Sequence, residues 1–298
     1  MKVLVTGAHG QVGWELSRRG AGKGFDILAL DRATLDITDQ SAVNREVSGS
    51  ETSVVVNAAA YTSVDQAELE SELAFGVNRD GPANLSSACA EAGIPLIHIS
   101  TDFVFDGEKK GPYLETDQVS PLSVYGKSKA AGETEVRERL REHIILRTSW
   151  VYGVHGRNFV KTMLRLGREK DVIRVVADQY GCPTYAADLA DTILKIAAQI
   201  QDNRQITWGT YHYCGKGVTS WHGLGEATLS LAKKYTSFRV KTIEAIRTAE
   251  YATPAKRPSN SALDCSLVEK TFSIHPRPWL ESLAQMIKMM FSVEKSKP

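Results

Sequence analysis

Short apolar, β-branched runs alternate with polar, helically spaced stretches along the first half of the chain. The first run, Val3-Leu4-Val5 within residues 2–6, has the length of a buried parallel strand. Further runs at 26–30, 53–57, 94–99 and 142–147 predict the second to fifth strands. Helical spacing begins after Gly13, with Trp14, Leu16 and Ser17, and again after Thr38 or Asp39, either of which suits an N-cap. Residues 65–78 and 81–92 also read as helices. Strand and helix therefore alternate over 1–150, which specifies a parallel sheet covered on both faces. The rhythm then changes. Helices at 158–168, 186–200, 220–234 and 279–291 are mixed with strands at 172–176 and 210–213, a turn-rich loop at 179–184 and a polar, proline-marked segment at 253–261. This predicts a smaller lobe over 151–298, interleaved with the end of the sheet domain. The last half-dozen residues are expected to fray.

Charge changes this picture little. The chain has 298 residues with 36 basic and 35 acidic side chains, so the net charge is +1 and no basic stripe stands out. That argues against nucleic acid or a membrane as an electrostatic partner. No apolar run approaches the ~18 residues of a membrane span, and the opening Met1-Lys2-Val3 leads into a strand rather than an apolar targeting core. Cys89, Cys182, Cys214 and Cys265 lie far apart without metal-ligand spacing and read as reduced thiols, which together predict a cytoplasmic protein.

Candidate chemistry gathers at the ends of the strands. Gly7, Gly10 and Gly13 form Thr-Gly-x-x-Gly-x-x-Gly directly after the first strand. Glycine there permits a tight turn and close approach to a pyrophosphate, which the following helix N-terminus meets with amide donors. Asp31, 18 positions after Gly13, suits a ribose with a free 2′-hydroxyl as in NADH, and Arg32 beside it suits the 2′-phosphate of NADPH, so both cofactors remain open. Ala58-Ala59-Ala60 after the third strand either leaves room for a ligand or serves close helix–strand packing. His98, within an apolar strand, reads as a core histidine. Thr101 stands at the carboxyl end of the fourth strand, where its hydroxyl meets a substrate carbonyl. The polar connection 106–121 is loop-like and is expected to close over the site. Tyr125 and Lys129 are four apart on a helix and share a face, so the lysine charge is expected to lower the tyrosine pKa for acid/base work. Chance alone supplies about 0.6 such Tyr-x-x-x-Lys pairs in a chain of this composition, so the pair draws its meaning from its surroundings.

Those surroundings are specific. The order Thr6-Gly7-x-x-Gly10-x-x-Gly13, Asn57-Ala58-Ala59-Ala60, Ser100-Thr101-Asp102 and Tyr125-x-x-x-Lys129 resembles the extended short-chain dehydrogenase/reductase superfamily. Longer runs resemble its dTDP-4-dehydrorhamnose reductase family: 10–16, 56–65, Pro121-Leu122-x-Val124-Tyr125-Gly126, Arg147-Thr148-Ser149-Trp150-Val151-Tyr152, 158–164 and 253–261. The resemblance implies a Rossmann-type doubly wound sheet with a smaller C-terminal substrate-binding lobe, and reduction of the 4-keto group of dTDP-4-dehydro-β-L-rhamnose by NADPH or NADH. It implies that Gly10, Gln11 and Val12 hold the pyrophosphate, Asp31 the adenosine ribose, Asp36 and Ile37 the adenine surroundings, and Ala60, Tyr61 and Thr62 the middle of the cofactor. Thr101 and Asp102 then meet the sugar, Trp150 packs on it, Tyr125 gives the proton to O4, and Lys129 binds the nicotinamide ribose. Lys256 and Arg257 are assigned to the substrate diphosphate on charge alone, with a surface ion pair as the competing role. Some members bridge subunits with Mg²⁺ through glutamates. Glu15 fits that pattern, but the matching position after Pro183 is Ala187, not a carboxylate, so a bridging Mg²⁺ is only half supported and stays open, as does a homodimer. Two alternatives also stay open: a nucleotide-sugar epimerase or dehydratase of the same superfamily, and a binding protein resembling the regulatory subunit of methionine adenosyltransferase. Thr101 is followed by Asp102 and Phe103 rather than by an acidic pair, which speaks against a dehydratase.

Overall fold

Five strands form at the apolar runs: β1 (Lys2–Thr6), β2 (Asp26–Leu30), β3 (Val54–Asn57), β4 (Leu96–Thr101) and β5 (His143–Thr148). The computed structural model describes residues 1–202 and 205–295. The intervening helices are α1 (Gln11–Ala21), α2 (Gln40–Gly49), α3 (Val64–Ala67), α4 (Ser71–Phe75), α5 (Gly81–Ala92) and α6 (Val124–Arg139). After β5 come β6 (Val151–Tyr152), α7 (Phe159–Glu169), β7 (Val172–Val176), β8 (Tyr180–Gly181), β9 (Thr184–Tyr185), α8 (Ala186–Gln201) and β10 (Gly209–His212). The chain continues through β11 (Thr219–Ser220), α9 (Trp221–Ala232), β12 (Thr242–Ile246), α10 (Ser266–Phe272) and α11 (Trp279–Lys295). The last helix thus runs on through three of the residues expected to fray, and the other three, 296–298, lie outside the described residues.

The central sheet runs β2-β1-β3-β4-β5-β10 with every pair parallel. Alternate residues of its strands point to opposite faces. Val3, Val5, Val54 and Val56 pack with Leu16 of α1 and Leu189 and Ile193 of α8. Leu4, Val55 and Leu96 pack on the other face with Val43 of α2, Leu85 of α5 and Val136 of α6. This is the α/β, doubly wound arrangement that the alternation specifies, closed by a strand from residues 209–212. A separate core joins α7, α9 and α11 through Met163, Leu164, Leu224, Leu229 and Leu283, beside the parallel pair β7–β12.

The strand order reverses between β1 and β3, and a ligand crevice forms outside the carboxyl ends of strands at such a switch point. Gly7 leaves β1 there with φ +70°, and a Cβ on it would lie 2.6 Å from the Ala59 nitrogen. Ala58 and Ala59 thus serve close backbone approach as well as a cavity wall. Gly7→Ala combines left-handed strain of about 1–3 kcal/mol with that clash. Urea unfolding should show at least that loss, and unchanged stability would remove the turn from this account.

The helix expected over 65–78 is broken. α3 and α4 are separated at 68–70, and a π-helical turn, Gly76–Asp80, runs directly into α5. The turn sits close under α6, where a Cβ on Gly132 would come within 2.0 Å of the Asn78 carbonyl. Loop 106–121 is not a free flap either. Tyr113 donates its amide to the Ala262 carbonyl at 2.7 Å and its hydroxyl to Asp106 at 2.7 Å, and Asn260 holds the Lys109 and Gly111 carbonyls at 2.8 Å each. The polar segment 253–261 pins this loop down, so its composition reflects bonding rather than freedom.

Candidate active site

A cavity of about 460 Å³ opens at the switch point, lined by Gly7, Gly10, Asp31, Asp36, Ala60 and Tyr61 among others, Arg32 and Ile37 included. The first amides of α1, at Gln11 and Val12, face no earlier helical turn and are free to donate. Their side chains go elsewhere: Gln11 bonds the Val151 carbonyl and Asn158, and Val12 packs on the sheet core. Gly13 lets α1 cross the turn, since its Cβ would stand 2.3 Å from the Gly7 carbonyl. Asp31 is held by Thr34 and by His9, whose Nδ1 lies 3.1 Å from it; bonds from Thr34 foremost keep its carboxyl below the usual range. Arg32 is exposed and reaches Asp36 at 3.3 Å, while Asp36 itself caps the turn at Thr38. Ile37 is buried against Gly81, so it seals the cavity from the core side. Thr62 is exposed and does not line this cavity. His9 was not anticipated; it fills an unspecified place between the glycines and gives no signal in the spacing.

Asn57 and Asn78 organise the walls. Asn57 Oδ1 accepts from Thr6 Oγ1 at 2.8 Å and the Ala59 amide at 3.1 Å. Asn78, on the π turn, accepts from the Tyr61 amide at 2.8 Å and donates to the Tyr61 carbonyl and Ser128 Oγ at 3.0 Å each. The Tyr61 hydroxyl donates to Glu70 at 2.6 Å, a bond that, with burial, pushes the phenol up to about 12. Asn78 therefore ties the cavity wall to α6, the helix that carries Tyr125 and Lys129.

α6 begins at an N-cap, Ser123, whose hydroxyl accepts the Gly126 amide at 3.1 Å. Tyr125 packs in a cluster with Tyr61, Val64, Ala67 and Phe103, edge-on to Phe103 at 5.5 Å. Thr101 ends β4 and donates to Asp102 at 3.0 Å. Burial pushes the Tyr125 phenol up to about 12; the Thr101 hydroxyl pulls it down in part and the Asp102 charge raises it. This corrects the expectation that Lys129 depresses it. Although the two residues share a helix face, the Lys129 side chain runs inward, and its Nζ donates to the Ile99 carbonyl at 2.7 Å. Burial brings Lys129 down to about 8 against the pull of Glu133. Asp102 is buried and pushed up to about 6 by desolvation, against the Ser261 and Thr101 hydroxyls, and its Oδ2 has no hydrogen-bond partner among the described residues.

A second cavity, about 300 Å³, lies beside the separate core of α7 and α9, lined by Phe159, Met163, Val176, Gln179, Trp221 and Arg257 among others. Arg257 grips Asp65 of α3 with two bonds, 2.7 and 3.1 Å, so it forms the ion pair held as its competing role while still facing the cavity. Lys256 is exposed and stands outside that lining. Trp150, at φ +48°, stacks on Trp221 at 3.6 Å and donates from Nε1 to Ser261 at 3.2 Å. Trp221, not Trp150, lines the cavity. Nothing around Trp221 marked it, because it opens a helix that reads as amphipathic. α3 links the two cavities: Val64 and Ala67 cluster with Tyr61, which lines the first, and Asp65 holds Arg257, which lines the second, while Thr101, Asp102, Tyr125 and Lys129 stand outside both linings.

Among the described residues no group of three or more His, Cys, Asp or Glu is placed to hold a metal, and no helix is long and apolar enough to cross a membrane. Glu15 is buried and faces Arg18 at 3.2 Å and Arg19 at 3.9 Å. Three of the cysteines, far apart in sequence, meet in one apolar cluster, with Cys214 Sγ 3.5 Å from Cys265 Sγ; all four are free thiols.

Comparison with known proteins covers nearly the whole chain. The model of the RmlD substrate binding domain matches residues 1–292. The dTDP-4-dehydrorhamnose reductase of Aggregatibacter actinomycetemcomitans is 44% identical over 285 residues, covering 95% of this chain and 97% of that protein. Among solved structures, a dTDP-4-dehydrorhamnose reductase from Clostridium acetobutylicum superposes with a TM-score of 0.91 at 40% identity, over 97% of this chain and 99% of that one. One from Bacillus anthracis in complex with NADP gives 0.90 at 37% identity, over the same shares of 97% and 99%.

Proposed function

The chain belongs to the family of the RmlD substrate binding domain, and from that membership we propose that it reduces the 4-keto group of dTDP-4-dehydro-β-L-rhamnose to dTDP-L-rhamnose. A nicotinamide cofactor supplies the hydride when bound. The cradle fits one: Gly7 approaches Ala59 too closely for any side chain, and α1 points its first amides at the same crevice. On this reading Gly10, Gln11 and Val12 hold the pyrophosphate through backbone amides, Asp31 the adenosine ribose, and Lys129 the nicotinamide ribose. Thr101 orients the sugar carbonyl and Asp102 binds the sugar with its unpartnered oxygen. Tyr125 holds its proton firmly at neutral pH and releases it to O4 as negative charge builds there. Arg257, fixed by Asp65, faces the nucleotide end of the substrate. The smaller lobe, residues 151–298, contributes that second cavity.

The observation that carries this reading is the cavity at the switch point, lined by Gly7, Gly10, Asp31 and Tyr61, with Tyr61 packed in one cluster with Tyr125. The test is oxidation of NADPH or NADH followed with and without the dTDP-4-keto sugar. Turnover without added reduced cofactor, by protein purified with bound NAD⁺, would mark an epimerase or dehydratase instead. Cofactor choice has its own test. Arg32 is exposed and among the described residues reaches only Asp36, so it is free to meet a 2′-phosphate. Arg32→Ala is expected to raise KM for NADPH about tenfold, the scale of one charge-assisted bond, and to leave KM for NADH unchanged. Equal changes for both cofactors would take Arg32 away from the phosphate.

A further inference from the structure

Asn57 fixes the protonation of one buried histidine, and through it bears on the charge of Lys129. The Ala59 amide donates to Asn57 Oδ1 at 3.1 Å, and a backbone N–H has no other role, so the Asn57 side chain cannot be turned over. Its Nδ2 therefore faces His98 Nδ1, at 3.0 Å, and donates to it. His98 Nδ1 is an acceptor, and the ring proton resides on Nε2. That nitrogen faces Lys129 Nζ at 3.5 Å. The imidazolium form is excluded on two counts. A proton on Nδ1 would oppose the Asn57 amide, and burial foremost, then the charges of Lys129 and His143, hold the His98 pKa well below its ordinary value.

We propose that His98 is a positioning residue for Lys129: locked by Asn57 with its proton on Nε2, it presents a donor to the amine and favours the amine's neutral form. An ammonium has three donors and no acceptor, so it meets the Nε2 proton unfavourably, whereas a neutral amine accepts it. The Ile99 carbonyl takes a bond from either form. Glu133, one turn along α6, favours the ammonium, but its oxygens already serve Arg147, Ser100 and Arg137. Among the described residues the other ionisable groups nearby are Tyr125 on α6, Asp102 just after β4 and His143 on β5; Glu68 serves the Val124 amide, and Arg79 and Asp80 pair with each other. His98 thus works in the same direction as burial, which brings Lys129 down to about 8.

The inference deepens the reductase reading of Lys129, and its test is read without substrate so that the two fail separately. Histidine ¹⁵N NMR of the intact protein is expected to find His98 neutral with its proton on Nε2 from about pH 6 to 9. A proton on Nδ1, or a cation in that range, overturns the proposal. Lysine NMR of His98→Gln and His98→Met gives the second readout. Glutamine still accepts from Asn57 and offers an N–H to the amine; methionine offers none. The Lys129 midpoint should stay in place in H98Q and rise by about one pH unit in H98M, with the alkaline limb of kcat/KM following it. An unmoved midpoint in H98M also overturns the proposal, and the wild-type histidine measurement decides if that variant does not fold.

Discussion

Tyr125→Phe is expected to lower kcat for NAD(P)H-dependent reduction by roughly 10²–10⁴-fold, the scale for loss of a positioned general acid, with cofactor affinity retained. The substitution removes one oxygen from a packed ring. Its contacts with Ala67, Ala74 and Tyr61 and its edge-on seat against Phe103 are all made by the ring, so the fold and both cavities should persist. The wild-type pH profile sharpens this. Burial holds the phenol near 12, so the proton is in place throughout the neutral range, and no loss of rate near neutral pH arises from Tyr125 deprotonation. A proton held that firmly is released only to a stronger base, and an alkoxide forming at C4 under hydride attack is one. Near-wild-type turnover by the variant, measured as substrate-dependent NADPH oxidation at saturating cofactor, would remove Tyr125 from proton delivery.

Much of this was legible because it is periodic or local. Strands β1 to β5 announced themselves as apolar runs, and Asp39 and Asn158 each cap the helix that follows them. Tyr125 and Lys129 could be placed on one helix from spacing alone. What spacing could not provide was the direction of a side chain once the helix is packed. Lys129 runs into the sheet and donates to the Ile99 carbonyl, and burial rather than the lysine sets the direction of the tyrosine. Contacts across long separations were equally out of reach. Asp65 and Arg257 are 192 residues apart, and Asn260 pins loop 106–121 from about 150 residues away. The π turn at Gly76–Asp80 left no pattern either, because its reason is Asn78, which must reach both Tyr61 and Ser128.

The same limit hid a buried ion pair between α6 and the sheet, and it yields the largest stability effect expected here. Glu133 on α6 and Arg147 at the end of β5 are buried and joined by two bonds, 2.8 and 2.7 Å, with Ser100 of β4 donating to the same carboxylate at 2.6 Å. The Arg147 guanidinium also lies over Phe105 at 5.1 Å. Arg147→Met should cost about 3–5 kcal/mol, because it leaves Glu133 buried without its main counter-charge. The sign of the pH dependence separates this cause from lost packing. In the wild type, burial alone would raise the Glu133 carboxyl, but Arg147, Ser100 and Arg137 outweigh it and hold it below its ordinary 4.5. The pair's stabilisation is therefore complete above that value and lost as pH falls through the lower, folded-state value. Without Arg147, desolvation prevails and the folded carboxyl rises above 4.5, so the folded state binds the extra proton. Stability of Arg147→Met should then fall as pH rises from about 5 to 7, where the wild type is flat. Urea unfolding at those two pH values reads both slopes. Equal slopes would mean that the loss is one of packing, and adding Glu133→Gln to Arg147→Met should recover part of the loss if the unpaired charge is its source.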